Sequence, residues 1–367
     1  MQNYASSTLL VIGSILMIIA RPLRAQTTDG MNVEPGTAQN GLPLGGHRRP
    51  PRVAPLFEQP GVLTPRGSSV LEPALQFADS SSNRIAVAGY TIIPSLFMGR
   101  VDVRELRRNS TTASLTARHG ITNRFEVELR VPYVYRSDSA VSRETANGTA
   151  TDRIFENSGK SIGDVEVAAR YQLNEGSLYI PYFVGGLRFK SRTGRDPFEV
   201  VTDCVTRCSG AGAAGTGLPL DLPTGSGFYA LEPSLAWFMP SSPATFFGTF
   251  SYMHNFKRTN VSRRILNGES EALGDISPPN SFGVNAGLGF ALNDRASVSV
   301  GYDHLSIGRA RQNHQPVPNS LRTQLGTIMV GFSYRVDNRR TINVSLGGGL
   351  TRDAPDVGAM VRVPIAF

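Results

Sequence analysis

A chain of 367 residues has room for two ordinary domains or one large barrel. Hydrophobic residues make up 40% and charged ones 18%, yet no run of about eighteen apolar residues occurs, which excludes a transmembrane helix. The net charge of +8 comes from arginines scattered along the chain rather than clustered with aromatics, which excludes nucleic acid as a partner. Basic solvated loops account for that charge, as does attraction to lipopolysaccharide headgroups or acidic solutes.

In chain order, Leu9–Ala20 is an apolar stretch too short to span a bilayer, broken by Arg21-Pro22. Cleavage after Ala25 would free Gln26, so residues 1–25 read as a signal peptide. Met1–Thr8 lacks Lys and Arg, and Leu23 stands three before the cut; a retained segment is the alternative. Residues 26–67, with Gly41-Leu42-Pro43-Leu44-Gly45-Gly46 and Arg49-Pro50-Pro51-Arg52, show little periodicity and read as a disordered periplasmic N-terminal segment.

From Ser68 the pattern changes to period two. Segments near 68–78, 110–119, 124–136, 162–173, 177–190, 227–239, 244–257, 280–293, 296–306, 322–336, 340–351 and 357–367 alternate in this way. Their length suits tilted membrane strands of roughly 9–11 residues. Short connections rich in turn formers (Gly120–Asn123, Asn174–Gly176, Pro240–Pro243, Asn293–Arg295 and Asp337–Arg339) alternate with longer ones at 79–109, 137–161, 191–226, 258–279 and 307–321, and with a shorter one at 352–356. Short periplasmic turns, long external loops and an even strand number predict a transmembrane antiparallel up-and-down β-barrel over 68–367, of about 12 strands and all-β. Pro73, Pro132, Pro181, Pro233 and Pro364 fall within these segments and must sit at bulges or strand ends, because a closed sheet has no free edge.

The segment Arg124–Arg136 shows the alternation best: Phe125, Val127, Leu129, Val131, Tyr133 and Tyr135 share one face, and Glu126, Glu128 and Arg130 the other. The next segment repeats it with Asp164, Glu166 and Arg170. Arginine facing lipid at the midplane costs roughly 2–4 kcal/mol, so these six residues are expected to line the lumen. They could sort solutes by charge, or fill the lumen as a structural ion-pair network; a barrel of about twelve strands lies between the filled and open sizes.

Cys204 and Cys208 are the only cysteines, and an exported chain meets oxidising conditions, so a disulfide between them is expected. A metal site would need two further ligands nearby. The chain closes with Ala359, Val361, Val363, Ile365 and Phe367 on one face, and Phe367 resembles the C-terminal aromatic by which outer-membrane barrels are handed to the barrel-assembly machinery.

Two stretches carry a family likeness. Gly61-Val62-Leu63-Thr64-Pro65-Arg66-Gly67 followed by Leu71-Glu72-Pro73 is one; Thr116-Ala117-Arg118-His119-Gly120-Ile121-Thr122-Asn123-Arg124 leading into Val131-Pro132-Tyr133 is the other. Together they resemble a family of outer-membrane β-barrel porins, some filed under a phenol-degradation-pathway label, with functional-amyloid export channels as distant relatives. The resemblance implies a barrel in the bacterial outer membrane and a transport role, with no catalytic motif and no cofactor. Residues 26–67 lack the heptad pattern of the amyloid exporters' helical plug.

Enzymatic chemistry finds little support. His47, His119, His254, His304 and His314 are dispersed, and in the one acid–base neighbour pair, Asp303-His304, strand geometry sends the two side chains to opposite faces. Gly283–Gly289 and Gly347–Gly349 lack the helix and the Lys-Ser/Thr pair of a phosphate loop. The expected function is an outer-membrane channel, monomeric or homotrimeric, passing a small solute or an unfolded polypeptide. The alternative is a non-conducting surface barrel whose long loops bind a partner.

Overall fold

The computed structural model describes residues 63–81, 85–88, 91–94, 102–143, 152–176, 180–205, 208, 219–241, 243–317 and 320–367. The expected signal peptide, residues 1–25, and most of the expected N-terminal segment, 26–67, lie outside these residues. Strand β1 (Ser69–Ser80) precedes a hairpin of β2 (Ile85–Ala88) and β3 (Thr91–Pro94). Then follow β4 (Asp102–Thr122), β5 (Phe125–Arg143), β6 (Asp152–Ile162), β7 (Glu166–Gln172), β8 (Tyr182–Lys190), β9 (Ala230–Pro240) and β10 (Ala244–Asn255). Next come β11 (Arg258–Arg264), β12 (Ser270–Ser277), β13 (Ser281–Ala291), β14 (Ala296–Ile307), β15 (Arg311–Gln312) and β16 (Gln315–Pro316). The chain ends with β17 (Thr323–Arg335), β18 (Thr341–Gly349), β19 (Val357–Arg362) and β20 (Ile365–Ala366).

Twelve strand positions form one closed antiparallel barrel. Two positions are shared: β6 and β7 both pair with β5, and β19 and β20 both pair with β1. The other edge of β1 pairs with β4, which closes the ring and leaves no free edge. Phe367 completes the seam, its N–H donating to the Ser69 carbonyl at 2.9 Å.

The burial pattern is that of a soluble protein turned inside out. Along β4, Thr112, Ser114, Thr116 and Arg118 are buried, while Leu115 between them is exposed. On β5, Leu129 is 46% exposed and Glu126 is 0% exposed. An apolar outer surface is stable only against lipid, and a barrel is the sheet that can sit there with every backbone group paired. Tyr171, Phe246, Phe290 and Tyr334 are exposed near the short-turn end, and Tyr135, Tyr252 and Phe282 near the other, in the manner of interfacial girdles. The short turns hold their own backbone: Asn293 Oδ1 accepts from the N–H groups of Arg295 and Ala296, and Asp337 Oδ1 from those of Arg339 and Arg340.

The prolines sit where pairing lapses. Gly163–Val165 separate β6 from β7, so three residues face Val131 and Pro132 of β5. Pro73 and Pro364 meet at the gap between β19 and β20, where the Pro73 carbonyl accepts from Val363 N–H. Pro233 lies in an unpaired step between β9 and β10, and Pro181 directly precedes β8.

Three expectations need correction. The connections at 79–109 and 137–161 are largely strand, because β4, β5 and β6 continue pairing from Asp102↔Arg143 and Arg143↔Asp152. At 21 and 19 residues, β4 and β5 far exceed the roughly 9–11 needed to cross a bilayer. Beyond the lipid both faces are wetted, so Arg107-Arg108-Asn109 and Ser137-Asp138-Ser139 show no alternation to read. The external loops contain structure of their own, with β11, β12, β15 and β16 making a separate four-stranded sheet. Finally, Leu63–Gly67 belong to the barrel rather than to a disordered tail, as described below.

The lipid-facing assignment has a direct test. Leu129→Arg should lower unfolding stability in lipid vesicles by about 2–4 kcal/mol. Leu266→Arg, at an exposed position between β11 and β12, should change it little. Urea titrations giving equal effects would mean that Leu129 does not face lipid.

Candidate functional site

The lumen wall has two unlike halves. From β1 round to β9 charged side chains point inward among neutral ones such as Ser114, Thr116 and Ala168, and the antiparallel register sets arginines directly opposite acids. Arg118 faces Glu128, Arg170 faces Glu126, Arg130 faces Glu166 and Arg188 faces Glu232. Arg118 reaches Glu128 at 2.8 Å and Glu72 at 3.0 Å. Arg170 bonds Glu126 at 2.6 Å and Glu128 at 2.7 Å. Glu166 takes Arg130 at 3.6 Å and Arg188 at 3.2 Å, and Arg188 continues to Glu232. The belt therefore runs across six strand positions as alternating charge, which is the geometry of a structural ion-pair network rather than of free charges awaiting a solute.

On the other half, from β10 to β19, short neutral groups predominate, among them the buried Thr245, Thr249, Ser281, Ser297, Ser299, Thr323, Ser333, Asn343 and Ser345, but Arg362 of β19 is buried there too and Asp303 of β14 faces the lumen. Between the halves lies a cavity of about 320 Å³, faced by Arg130, Glu166, Arg188 and Glu232 on one side and by Ser251, Asn285, Asp303 and Arg362 on the other.

Two segments enter the lumen from its ends. At the short-turn end, Thr64 N–H donates to Glu126 Oε2 at 2.7 Å, and Leu63 is buried with Val184, Ala236 and Phe238. Gly120 makes this possible, since a Cβ there would stand 2.2 Å from the Pro65 carbonyl oxygen. At the other end, the connection between β8 and β9 folds inward. Arg136 Nη1 donates to the Pro223 carbonyl at 2.8 Å, and Ser226 donates from its N–H and its hydroxyl to Asp164 Oδ2 at 2.8 and 2.7 Å. Lys190 Nζ donates to Ser226 Oγ at 2.7 Å. Gly225 approaches so closely that a Cβ would lie 2.5 Å from Asp164 Oδ1.

Of the six residues expected in the lumen, Glu126, Glu128, Arg130, Glu166 and Arg170 project inward from β5 and β7. Asp164 is buried but lies in the break between β6 and β7, where its free backbone geometry lets it anchor the entering loop through Ser226 and Gly194. Sequence reasoning missed Glu72, Arg118, Arg136, Arg188, Lys190 and Glu232 as network members. Their signal was the same inward phase, followed onto neighbouring strands. Cys204 and Cys208 form a disulfide, buried with Ile265 at the tip of the same loop. Leu266 N–H donates to the Cys204 carbonyl, and Cys208 N–H to Glu271, so the bridge is fastened to the β11–β12 hairpin. Below it Phe198, Phe228, Val261, Leu273 and Ile276 form an apolar core outside the barrel wall.

With this geometry in view, solved structures offer likenesses. An outer-membrane channel from Pseudomonas putida F1 aligns over 84% of this chain and 98% of its own, with a TM-score of 0.53 and 13% identity. The likeness is one of fold, a closed antiparallel β-barrel. The translocator domain of autotransporter NalP from Neisseria meningitidis aligns over 83% and 89% with a TM-score of 0.44 and 10% identity. A FadL homologue of Pseudomonas aeruginosa aligns over 82% and 89% with a TM-score of 0.38 and 7% identity. No family model matches the chain.

The belt predicts a characteristic mutational response. Arg170→Met leaves Glu126 buried with no arginine, and should destabilise the barrel by about 3–5 kcal/mol in urea unfolding. Adding Glu126→Gln should recover part of that loss, because the stranded charge is gone. An Arg170→Met barrel as stable as the parent would refute the network. For the loop, Cys204→Ser with Cys208→Ser should preserve heat-modifiable gel mobility while exposing residues 191–229 to limited proteolysis. Unfolding of the barrel itself would show that the bridge supports more than the loop.

Proposed function

We propose that this protein is a channel of the bacterial outer membrane that passes a small polar solute along the neutral half of its lumen. The observation that carries the reading is the division of the wall. The charges of β1 to β9 are neutralised by each other, whereas most buried polar side chains of β10 to β19 are short and uncharged, Arg362 and the cavity-facing Asp303 excepted. Short hydroxyl and amide groups bind weakly enough to release a solute, as conduction requires. Passage of an unfolded polypeptide fits less well, since both Leu63–Gly67 and Leu222–Phe228 would have to leave the lumen first.

A second reading, a non-conducting surface barrel that binds a partner through its loops, draws support from the four-stranded external sheet and its disulfide-fastened neighbour. Planar bilayers separate the two. A channel should give small, steady current steps, and Arg136→Ala with Ser226→Ala, which release the entering loop, should enlarge them. Absence of current from both proteins, each correctly folded by gel mobility, would leave the surface-barrel reading.

A further inference from the structure

One lumen carboxylate breaks the pairing rule. Among the described residues of the charged half, each of the lumen carboxylates Glu72, Glu126, Glu128, Asp164, Glu166 and Glu232 has Arg or Lys within ion-pair distance. Asp303 of β14 faces the cavity from the neutral half, and among the described residues no cation pairs with it. Asn285 stands directly opposite it in register on β13. The amide oxygen of that residue, Asn285 Oδ1, is buried with no partner. An ionised carboxylate and a bare amide oxygen side by side in an enclosed lumen are costly unless a donor is brought to them. His304 does not serve: its ring lies on the opposite face, bonded to Tyr302 and Gln324.

The surroundings define what that donor would be. Leu305, Met329 and Met360 line the same cavity as the two acceptors and supply apolar surface to it, and Arg362 of β19 lines it as well. A hard divalent cation would want six or more oxygens, and the wall here supplies the side chains of Asp303 and Asn285. An ammonium group is satisfied by two or three acceptors, and an attached short alkyl chain would cover the apolar surface. We propose that the lumen contains a binding site for a small organic cation, in which Asp303 and Asn285 receive an alkylammonium head and Leu305, Met329 and Met360 its apolar stem. The inference rests on the lumen being the solute path, and it names the class of solute.

Two measurements on the full-length barrel keep the two readings apart. Calorimetric titration of detergent-solubilised protein with n-butylammonium should show saturable binding, weakened about ten-fold or more by Asp303→Asn, the scale of one charge-assisted contact. Butyrate should not bind. Asp303→Asn is isosteric, and gel mobility verifies its folding. In bilayers under a KCl gradient, the same substitution should shift the reversal potential away from cation preference. Equal butylammonium affinity in parent and variant, or no binding to the parent, overturns the site even if the barrel conducts. Binding that depends on Asp303 in a barrel that passes no current upholds the site and sinks the channel reading instead.

Discussion

Closure of the sheet is the constraint from which the rest follows. In lipid no water is present to satisfy an open strand edge, so β1 must bond both β4 and the β19–β20 position. Closure in turn assigns one face of every strand to lipid and the other to a narrow interior. Charges can then go only inward, and once inside they need partners. The antiparallel register provides them without any long-range design: Arg118 opposite Glu128 and Arg188 opposite Glu232 are nearest neighbours across a single strand pair. The ion-pair belt is thus a consequence of strand pairing, and it fixes the register that produced it, because a one-residue slip would turn these arginines into lipid.

The prolines show the same constraint from the side of its exceptions. A residue without an N–H can enter a closed sheet only where a neighbour has stopped asking for one. Leu71-Glu72-Pro73 and Leu231-Glu232-Pro233 each place an inward glutamate beside an outward proline, with an arginine of the neighbouring strand, Arg118 or Arg188, on the glutamate. Both prolines stand at lapses of pairing on one side. The repeated tripeptide reflects two sites with the same physical demands. At Pro132 the neighbour's lapse, Gly163–Val165, has been given a task, since Asp164 in that gap is free to hold the entering loop.

How much of this was legible depended on what each stretch of chain faces. Strands with lipid on one side and lumen on the other announced themselves, and Leu129 against Glu128 is as clear a signal as alternation gives. The same strands became unreadable on leaving the membrane, so the outer parts of β4 and β5 looked like loop although their pairing continues. Leu63–Gly67 were hidden for a different reason: the partners that order them, Glu126, Gly120 and Phe238, are remote in sequence and contribute no local pattern. The belt was half visible, because Glu126, Glu128 and Arg130 could be phased from one strand alone. Extending it to Glu72, Arg118 and Arg188 required knowing which strands are neighbours.

The two halves of the lumen are connected through these inserted segments. Both dock on the charged side: Thr64 on Glu126, Pro223 on Arg136, and Ser226 on Asp164 and Lys190. Backbone amides and carbonyls are satisfied by charged groups at modest cost, so a wall rich in Glu, Asp, Arg and Lys is where a returning segment of chain can be buried without orphaned hydrogen bonds. The neutral wall offers few such anchors, and inward glycines such as Gly283 and Gly301 keep it recessed. The remaining space in the lumen is faced by both halves, by Glu166, Arg188 and Glu232 and by Asn285, Asp303 and Arg362. The charged half holds the inserts, and on the function proposed above the other half is where a solute would meet the wall.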